Sequence, residues 1–297
     1  FTRDNIDQAY MFLDNMSSPY VLKADGLAAG KGVLIIHDLE EAKQELRSMI
    51  FDKKFGESSS KVVIEEFLDG IELSCFVLTD GNNYKILPFA KDYKKIGEAD
   101  TGLNTGGMGA ISPVLFLDDV FLEKIEERII KPTINGIIKE NMEYMGIVFI
   151  GLIKVNEDPY VIEYNVRMGD PETEVVFPRI ENDIFELFNS MGSIEFANID
   201  LIVDERHAAT VIMVSGGYPT NYEKNKIITG LENISDSIIF HAGTKKDDNV
   251  FLTNGGRVLA ITSLAKNYKQ AIDLSYKQIE KISFDKSYFR KDIGFDL

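Results

Sequence analysis

The chain has 297 residues, of which 44% are hydrophobic and 27% are charged. This is the composition of a globular protein with room for two domains, and it excludes disordered, collagen-like and coiled-coil chains. The 48 acidic residues outnumber the 32 basic ones, and the resulting net charge of −16 argues against nucleic-acid binding. An anionic ligand would therefore need a locally basic site or a bridging divalent cation.

The lengths of the apolar segments and the cysteine content further restrict the class of protein. The longest apolar runs, such as residues 147–155, are too short to span a membrane, and residues 1–16 carry a helical pattern in place of an apolar leader. The one cysteine, Cys75, cannot form an intrachain disulfide. We therefore predict a protein that does not insert into membranes and that works in the reducing cytoplasm.

The first third of the chain mixes helical and strand patterns without a regular strand–helix–strand alternation. The spacing of apolar residues predicts helices over 5–16 and 39–51, the second with Asp38 as its N-cap. A glycine-rich loop is predicted over 25–32. The predicted strands cover 20–24, 33–36 and 61–66, followed by a hairpin over 71–78 and 84–90.

Later segments carry equally distinct patterns. Four glycines within residues 101–110 predict an irregular segment, and Pro132 predicts a kink or restart within a helix over 118–140. From about residue 207 the sequence pattern changes to short strands and turns, so we place a domain boundary between residues 195 and 206. The other predicted elements are strands over 147–155, 160–166 and 208–215 and helices over 182–189 and 269–282.

The loop from Lys23 to Gly32 reads Lys-Ala-Asp-Gly-Leu-Ala-Ala-Gly-Lys-Gly. It is not a phosphate-binding Walker A loop, because that motif ends in Lys-Ser or Lys-Thr and leads into a helix. A flexible glycine loop carrying Lys31 between two strands still suits closure over phosphates, since its amides can approach without hindrance from Cβ atoms. The alternative is a mobile turn with a solvated lysine.

Two acidic strand ends are further candidates. After Glu65 and Glu66, the extended backbone at Phe67 and Leu68 could offer an amide and a carbonyl to an adenine edge, with Glu72 accepting ribose hydroxyls. The alternative is a solvated acidic strand end.

The second acidic strand end covers residues 162–167, where strand alternation puts Glu163, Asn165 and Arg167 on one face. Two hard oxygen ligands and a guanidinium suit Mg²⁺ and a polyphosphate, whereas the alternative is a plain solvated face. The turn that follows presents two more carboxylates, Asp170 and Glu172, which a solvated face does not need.

A basic cluster precedes a second glycine loop. Lys91, Lys94 and Lys95 supply the local positive charge that an acidic protein needs at an anion site, and residues 104–109 read Asn-Thr-Gly-Gly-Met-Gly.

Together these motifs resemble the glycinamide ribonucleotide synthetases, a family of ATP-grasp ligases. The resemblance rests on residues 23–32, 65–70, 100–110 and 163–173, and it continues through 216–219, 240–244, 253–259 and 290–294. It implies an α+β chain with the ATP-grasp fold: a small lid subdomain (1–68), a larger central mixed-sheet subdomain (69–200) and a small C-terminal α/β domain (201–297). From the resemblance we also expect the family's N-terminal Rossmann-like domain to be missing from this sequence and to be supplied by a separate segment.

The resemblance also implies ATP-dependent ligation of glycine to 5-phosphoribosylamine through glycyl phosphate, and it places the site residues. Glu163 and Asn165 hold Mg²⁺ or Mn²⁺, and Arg167, Lys94 and Asp170 are catalytic. The implied ATP contacts are Lys23, Lys31, Glu65, Glu66, Phe67, Leu68, Glu72 and Asn165. The implied substrate contacts are Asp92, Asn104, Thr105, Gly106, Gly107, Met108, Gly109, Asp170, Pro171, Glu172 and Thr173.

Two alternatives stay open. One is another ATP-grasp ligase, such as a carboxylase, although the 104–109 loop and the Arg-Lys-Asp-Ile-Gly segment at 290–294 argue against a purine carboxylase. The other is a nucleotide-binding module without catalytic activity. ADP release that requires both glycine and 5-phosphoribosylamine distinguishes these alternatives from the ligase.

Overall fold

The computed structural model describes residues 1–28 and 32–297, which form two compact units, Phe1–Asp69 and Gly70–Leu297. Lys31, predicted to contact phosphates, lies outside the described residues. The elements of the first unit are helices α1 (Ile6–Asp14) and α2 (Leu39–Phe51) and strands β1 (Tyr20–Ala24), β2 (Val33–Ile36) and β3 (Val62–Glu66).

The first unit is a three-stranded antiparallel sheet in the order β2-β1-β3 with both helices packed on one face. Apolar residues alternate along the strands, so Leu22 and Ile64 meet Leu13 and Leu46 in the core. Helix α2 begins where Asp38 accepts a 2.8 Å hydrogen bond from the Glu41 amide, as the cap prediction requires.

The second unit contains the remaining elements. Its strands are β4 (Ile71–Thr79), β5 (Tyr84–Ile86), β6 (Lys91–Asp92), β7 (Lys95–Gly97), β8 (Thr101–Asn104), β9 (Gly109–Ser112), β10 (Gly146–Val155), β11 (Asp158–Asn165), β12 (His207–Val214), β13 (Ile227–Ile228), β14 (Ile238–His241), β15 (Thr244–Asp247), β16 (Val250–Thr253) and β17 (Arg257–Ala265). Its helices are α3 (Asp119–Ile125), α4 (Lys131–Lys139), α5 (Thr173–Val176), α6 (Ile184–Asn189), α7 (Ile194–Asn198) and α8 (Tyr268–Ile279).

A four-stranded antiparallel sheet in the order β11-β10-β4-β5 carries the strand that ends in Asn165. The β4–β5 pair is the predicted hairpin. Helices α3 and α4 cover one face of the sheet, with Phe121 and Ile125 packed among strand residues. The predicted interruption at Pro132 is also present: a π-helical turn, Glu126–Ile130, precedes α4, because proline has no N–H to continue the helical ladder.

The second sheet has the order β14-β17-β12-β9-β6, with α8 packed on β12 and β17. Strands β6 and β9 come from the middle of the chain, whereas the other three come from its last third. A single sheet therefore joins residues from both sides of the predicted boundary near residue 200. The division of the sequence at residues 68 and 200 stays a prediction.

One prediction of secondary structure was wrong. Residues 101–110 were expected to be irregular, but β8 pairs with β7 in a small hairpin, and β9 lies inside the five-stranded sheet. Gly109 is packed closely inside that sheet, since a Cβ there would lie 2.7 Å from the Thr210 carbonyl oxygen and 2.8 Å from Ile293. Glycine at this position therefore permits close packing and does not mark a turn.

The described elements form an α+β fold, as predicted. None of the helices in the described part of the chain combines the length and the apolar character needed to cross a bilayer.

Candidate active site

The sheet of the first unit leaves one face open. Strand alternation puts Lys23 and Glu65 on that face, and the Lys23 Nζ lies 2.5 Å from a Glu65 carboxylate oxygen. Val33, Ile35 and Val63 surround this pair with exposures of 45%, 54% and 36%. An apolar surface with one ion pair at its centre is suited to a flat heterocycle that carries a charged group.

The strand end beyond Glu65 is also accessible. Glu66 is exposed, and the Phe67 side chain is 39% exposed, so the extended backbone there can be reached by a ligand. Glu72, the predicted ribose acceptor, is in β4 and lies 2.5 Å from the Lys94 Nζ. The predicted contact at Glu72 and the predicted catalytic Lys94 are thus paired with each other.

The three polar residues at the end of β11 form one line. The Asn165 amide nitrogen donates to Glu163 at 3.0 Å, and Arg167 donates to the Asn165 amide oxygen at 3.3 Å. A β-bulge with Ile162 as its inserted residue precedes them, and Gly151 lies opposite Glu163. A Cβ on Gly151 would lie 3.1 Å from the Glu163 Cγ, so glycine leaves room for this carboxylate.

The basic cluster predicted near residue 94 is only partly available. Lys94 lies 3.4 Å from Asp92 as well as beside Glu72. Partial loss of water lowers the pKa of Lys94, but the charges of Asp92 and Glu72 outweigh this effect and raise it above its ordinary value. Lys91 does not contribute to an anion site as expected, because it is buried and pairs with Asp296 at 2.9 Å.

Two carboxylates after residue 170 are shielded from water, Glu172 fully and Glu174 in part. Glu172 is 4% exposed and accepts a 2.9 Å hydrogen bond from Ser74. Burial, and then the charge of Asp92, raise the pKa of Glu172 to about 7. Burial and the charge of Asp170 likewise raise the pKa of Glu174 to about 7. Perturbed carboxylates of this kind are common in functional sites.

The sheet brings these groups to one surface. Gly151 of β10 is paired with Ser74 on one side and with Glu163 on the other. Residues directly opposite in neighbouring strands point to the same face. The metal-ligand candidate Glu163 and the Ser74–Glu172 pair therefore share one face of the four-stranded sheet.

Within the second glycine loop (104–109), residues 105–108 connect β8 to β9 and are held by hydrogen bonds within the loop and to the Lys94 carbonyl. The Thr105 amide and hydroxyl donate to the Lys94 carbonyl at 2.8 and 2.7 Å, and the Gly107 amide donates to the Thr105 hydroxyl at 2.9 Å. Gly107 has φ +112°, and a Cβ there would lie 2.2 Å from the Pro171 Cδ. The glycine loop thus lies directly against the Asp170–Pro171 turn.

Sequence reasoning missed two residues of this site. Arg257 donates to the backbone carbonyl and the carboxylate of Asp170, each at 2.9 Å, and to the carbonyl of Gly106. The Gly106 amide donates to the Tyr218 hydroxyl at 2.9 Å. Both residues occur in glycine-rich segments of the resemblance, which was the one available signal. They lie 87 or more residues from their partners, so no local pattern could link them.

The candidate metal ligands are one carboxylate and one amide oxygen. Within residues 1–28 and 32–297, no group of three or more His, Cys, Asp or Glu side chains is arranged to hold a metal ion. A cation at Glu163 and Asn165 would therefore complete its shell with water or phosphate oxygens, as Mg²⁺ usually does.

Two domains of one known protein family match this chain. The ATP-grasp (A) domain of phosphoribosylglycinamide synthetase matches residues 1–173, more than half of the chain, so this is an ATP-grasp protein. The C domain of the same family matches residues 208–296. The chain therefore belongs to the phosphoribosylglycinamide synthetase family, and the predicted family and fold are confirmed.

Individual relatives agree over nearly the whole chain. The phosphoribosylamine–glycine ligase of Fusobacterium nucleatum is 46% identical over 294 residues, which cover 97% of this chain and 68% of the relative. That of Caldanaerobacter subterraneus is 42% identical and covers 98% and 70%. The crystal structure of the Thermotoga maritima phosphoribosylamine–glycine ligase has a TM-score of 0.84 at 36% identity, covering 98% of this chain and 72% of that one.

A more distant structure shares the fold alone. The biotin carboxylase domain of Hydrogenobacter thermophilus 2-oxoglutarate carboxylase, determined with MgADP, is 17% identical with a TM-score of 0.67. It covers 95% of this chain and 61% of that domain.

Proposed function

We infer that this chain catalyses the ATP-dependent ligation of glycine to 5-phosphoribosylamine, producing glycinamide ribonucleotide, ADP and phosphate in purine biosynthesis. The relatives that cover this chain at 40–46% identity are ligases of this kind or bifunctional purine biosynthetic proteins. The structural observation that carries the inference is the hydrogen-bonded line of Glu163, Asn165 and Arg167 on the sheet face that also holds Ser74 and Glu172.

The residues present fit a divalent cation and ATP. Glu163 and Asn165 would hold Mg²⁺ or Mn²⁺ through oxygen atoms, and the bound cation would neutralise charge on the ATP phosphates. The open apolar face around Lys23 and Glu65, with the backbone at Phe67 and Leu68, would take adenine. Glu66 and Glu72 complete the proposed nucleotide contacts, and Lys31 remains a predicted phosphate contact.

The proposed reaction is group transfer between substrates. A glycine carboxylate oxygen attacks the γ-phosphorus of ATP, giving glycyl phosphate and ADP. The amine of 5-phosphoribosylamine then attacks the glycyl carbonyl carbon, phosphate leaves, and the new amide nitrogen loses a proton. Phosphoryl transfer depends mainly on positioning and on charge neutralisation, so fixed cations such as Arg167 and Lys94 replace a protein nucleophile.

The glycine loop and the following turn are the proposed substrate contacts. They comprise Asn104, Thr105, Gly106, Gly107, Met108 and Gly109 with Asp92, Asp170, Pro171, Glu172 and Thr173. The packing of Gly107 on Pro171 supports treating the two segments as one surface. We also propose the division into a lid (1–68), a central subdomain (69–200) and a C-terminal domain (201–297).

The test is ADP formation by the chain as printed, measured with ATP, Mg²⁺, glycine and 5-phosphoribosylamine, and with each omitted in turn. Ligation requires all four, and glycinamide ribonucleotide should form in equal amount with ADP. A nucleotide-binding module would bind Mg·ATP without turnover, and a carboxylase would depend on bicarbonate. Either of those results would contradict the proposal.

The metal assignment yields a direct prediction. Glu163→Gln removes a charged ligand, so the Mg²⁺ concentration for half-maximal activity should rise at least tenfold, and saturating Mg²⁺ should restore part of the rate. Glu157→Gln is the matched control, because Glu157 is 76% exposed in the turn between β10 and β11. An unchanged Mg²⁺ dependence in Glu163→Gln would refute the assignment.

A further inference from the structure

Arg257, the first residue of β17, joins the two segments proposed to contact the substrates. Its guanidinium donates to the Gly106 carbonyl in the glycine loop and to both the backbone and the carboxylate of Asp170. A planar fork with several donors can hold three acceptors in fixed relative positions, which a lysine ammonium cannot do as rigidly.

The local sequence makes room for this contact. A Cβ on Gly106 would lie 2.8 Å from the Arg257 Cζ, and a Cβ on Gly256 would lie 2.3 Å from the Tyr218 ring. The absence of both side chains lets Arg257 cover the loop backbone while the Tyr218 hydroxyl accepts from the Gly106 amide. Gly106 is therefore held at its carbonyl and at its amide by side chains from the last third of the chain.

The charge of Arg257 matters as much as its geometry. The turn beside the loop carries Asp170 and Glu172, helix α5 after it carries Glu174, and the whole chain has a net charge of −16. The two substrates that are joined in the proposed reaction both bear anionic groups: glycine has a carboxylate and 5-phosphoribosylamine has a phosphate. We call these two substrates the acceptors, since glycine accepts the phosphoryl group and 5-phosphoribosylamine accepts the glycyl group. Arg257 pairs with Asp170 and acts on Glu174, lowering the negative potential that these substrates meet.

We propose that Arg257 is a positioning residue for the ligation reaction, holding the glycine loop against the Asp170–Pro171 turn and neutralising Asp170 so that the anionic substrates can bind. The proposal rests on the proposed function. Tyr218 assists by fixing the amide side of Gly106. The role differs from that of the nucleotide and metal contacts, and it should affect the two anionic acceptors while leaving Mg·ATP binding unaffected.

The test compares Arg257→Met, Arg257→Lys and Tyr218→Phe with the unchanged chain, each assayed for the KM of glycine, of 5-phosphoribosylamine and of Mg·ATP. For Arg257→Met we expect both acceptor KM values to rise at least tenfold, with the KM for Mg·ATP changed less than twofold. Arg257→Lys should recover part of the loss, since it restores the charge but not the fork. Tyr218→Phe should raise the acceptor KM values about threefold.

Two controls separate positioning from general damage. Arg206→Met makes the same substitution at an exposed arginine paired with Asp204, and its kinetics should match the unchanged chain. If Arg257 acts through Asp170, the effects of Arg257→Met and Asp170→Asn should be far from additive when combined. Equal rises in all three KM values, or acceptor KM values within twofold of the unchanged chain, would overturn the proposal.

A second readout does not depend on turnover. Hydrogen exchange at the Gly106 amide should speed up in Arg257→Met and in Tyr218→Phe, while amides of β12 and β17 keep their protection. If the unchanged chain forms no glycinamide ribonucleotide, the proposed function fails and the catalytic part of this proposal fails with it. Unchanged exchange at Gly106 would instead refute the holding role of Arg257 by itself. Should Arg257→Met fail to fold, Arg257→Lys and Tyr218→Phe give the same two readouts.

Discussion

Arg290 and Arg257 both reach from the last third of the chain to the segment between residues 95 and 107, but their surroundings differ. Arg290 has no exposed side-chain surface and donates to Asp100, to Asp292 and to the Lys95 carbonyl. Arg257 keeps 21% of its side chain exposed, and its partner Asp170 keeps 58%. The same residue type thus makes one buried ion cluster and one contact at an accessible site.

The difference separates a contribution to stability from a contribution to function. A buried arginine that loses its carboxylates, or carboxylates that lose their arginine, leave uncompensated charge in a dry interior. An arginine at an accessible site can be removed with little effect on folding, because water replaces its contacts. We therefore expect Arg290 to matter mainly for stability and Arg257 mainly for substrate binding.

The largest effect is expected for Arg290→Met. This change leaves the carboxylates of Asp100 and Asp292 without their common partner. Because these carboxylates are 44% and 18% exposed, water screens part of their charge, so the loss should be about 2–3 kcal/mol, below the about 3–5 kcal/mol of a fully buried pair. The change also removes the guanidinium that lies 5.5 Å from the centroid of the Tyr93 ring. Urea unfolding of the second unit should show the loss, and Arg290→Met combined with Asp292→Asn should be less destabilised than Arg290→Met alone. A loss below about 1 kcal/mol would show that burial does not distinguish the two arginines.

An intermediate effect is expected at Glu172, a buried charge without a comparable cation cluster. Burial and the charge of Asp92 raise its pKa from the ordinary 4.5 to about 7. Between these values the folded chain binds more protons at Glu172 than the unfolded chain does, so stability should fall as pH rises from about 5 to about 7. Lys94 opposes the shift, and Ser74 donates to the carboxylate.

Glu172→Gln should flatten that pH dependence. The neutral amide can still accept from Ser74, so the variant should gain stability relative to the unchanged chain at pH 8 and differ little at pH 5. Part of the slope should persist, because Glu174 has a pKa raised in the same direction. Glu157→Gln is the matched exposed control. If Glu172→Gln leaves the slope of unfolding free energy against pH unchanged, Glu172 is not the titrating group.

Most of the fold was predictable where local pattern decides it. Apolar alternation and capping determined β1 and α2 and the strands at residues 147–155 and 160–166, because these elements bury one regular face. The hairpin at 95–104 was missed for a physical reason. Its strand Thr101–Asn104 is exposed throughout, so no buried face marks it in the sequence, and its glycine content suggests a loop.

The residues of the candidate site were also predictable only where a local pattern relates them. Glu163, Asn165 and Arg167 were predictable as a group because strand alternation is a local rule. The burial of Lys91 was not, because its partner Asp296 lies at the other end of the sequence. Arg257 and Tyr218 were missed for the same reason: long-range sheet packing brings them to the glycine loop, and a single sequence does not encode that pairing in any short pattern.

The smallest effect in this comparison is expected for the stability of Arg257→Met. Its ion pair with Asp170 is more than half exposed on the carboxylate side, and pairs of this kind contribute about 0–1 kcal/mol. Arg206→Met, at an arginine that is 58% exposed, should change the unfolding free energy by less than about 0.5 kcal/mol. Both variants should therefore unfold within a narrow range of the unchanged chain in urea, while only Arg257→Met changes the kinetics. A destabilisation of Arg257→Met close to that of Arg290→Met would mean that the glycine loop is part of the folding core, and the distinction between the two arginines would not hold.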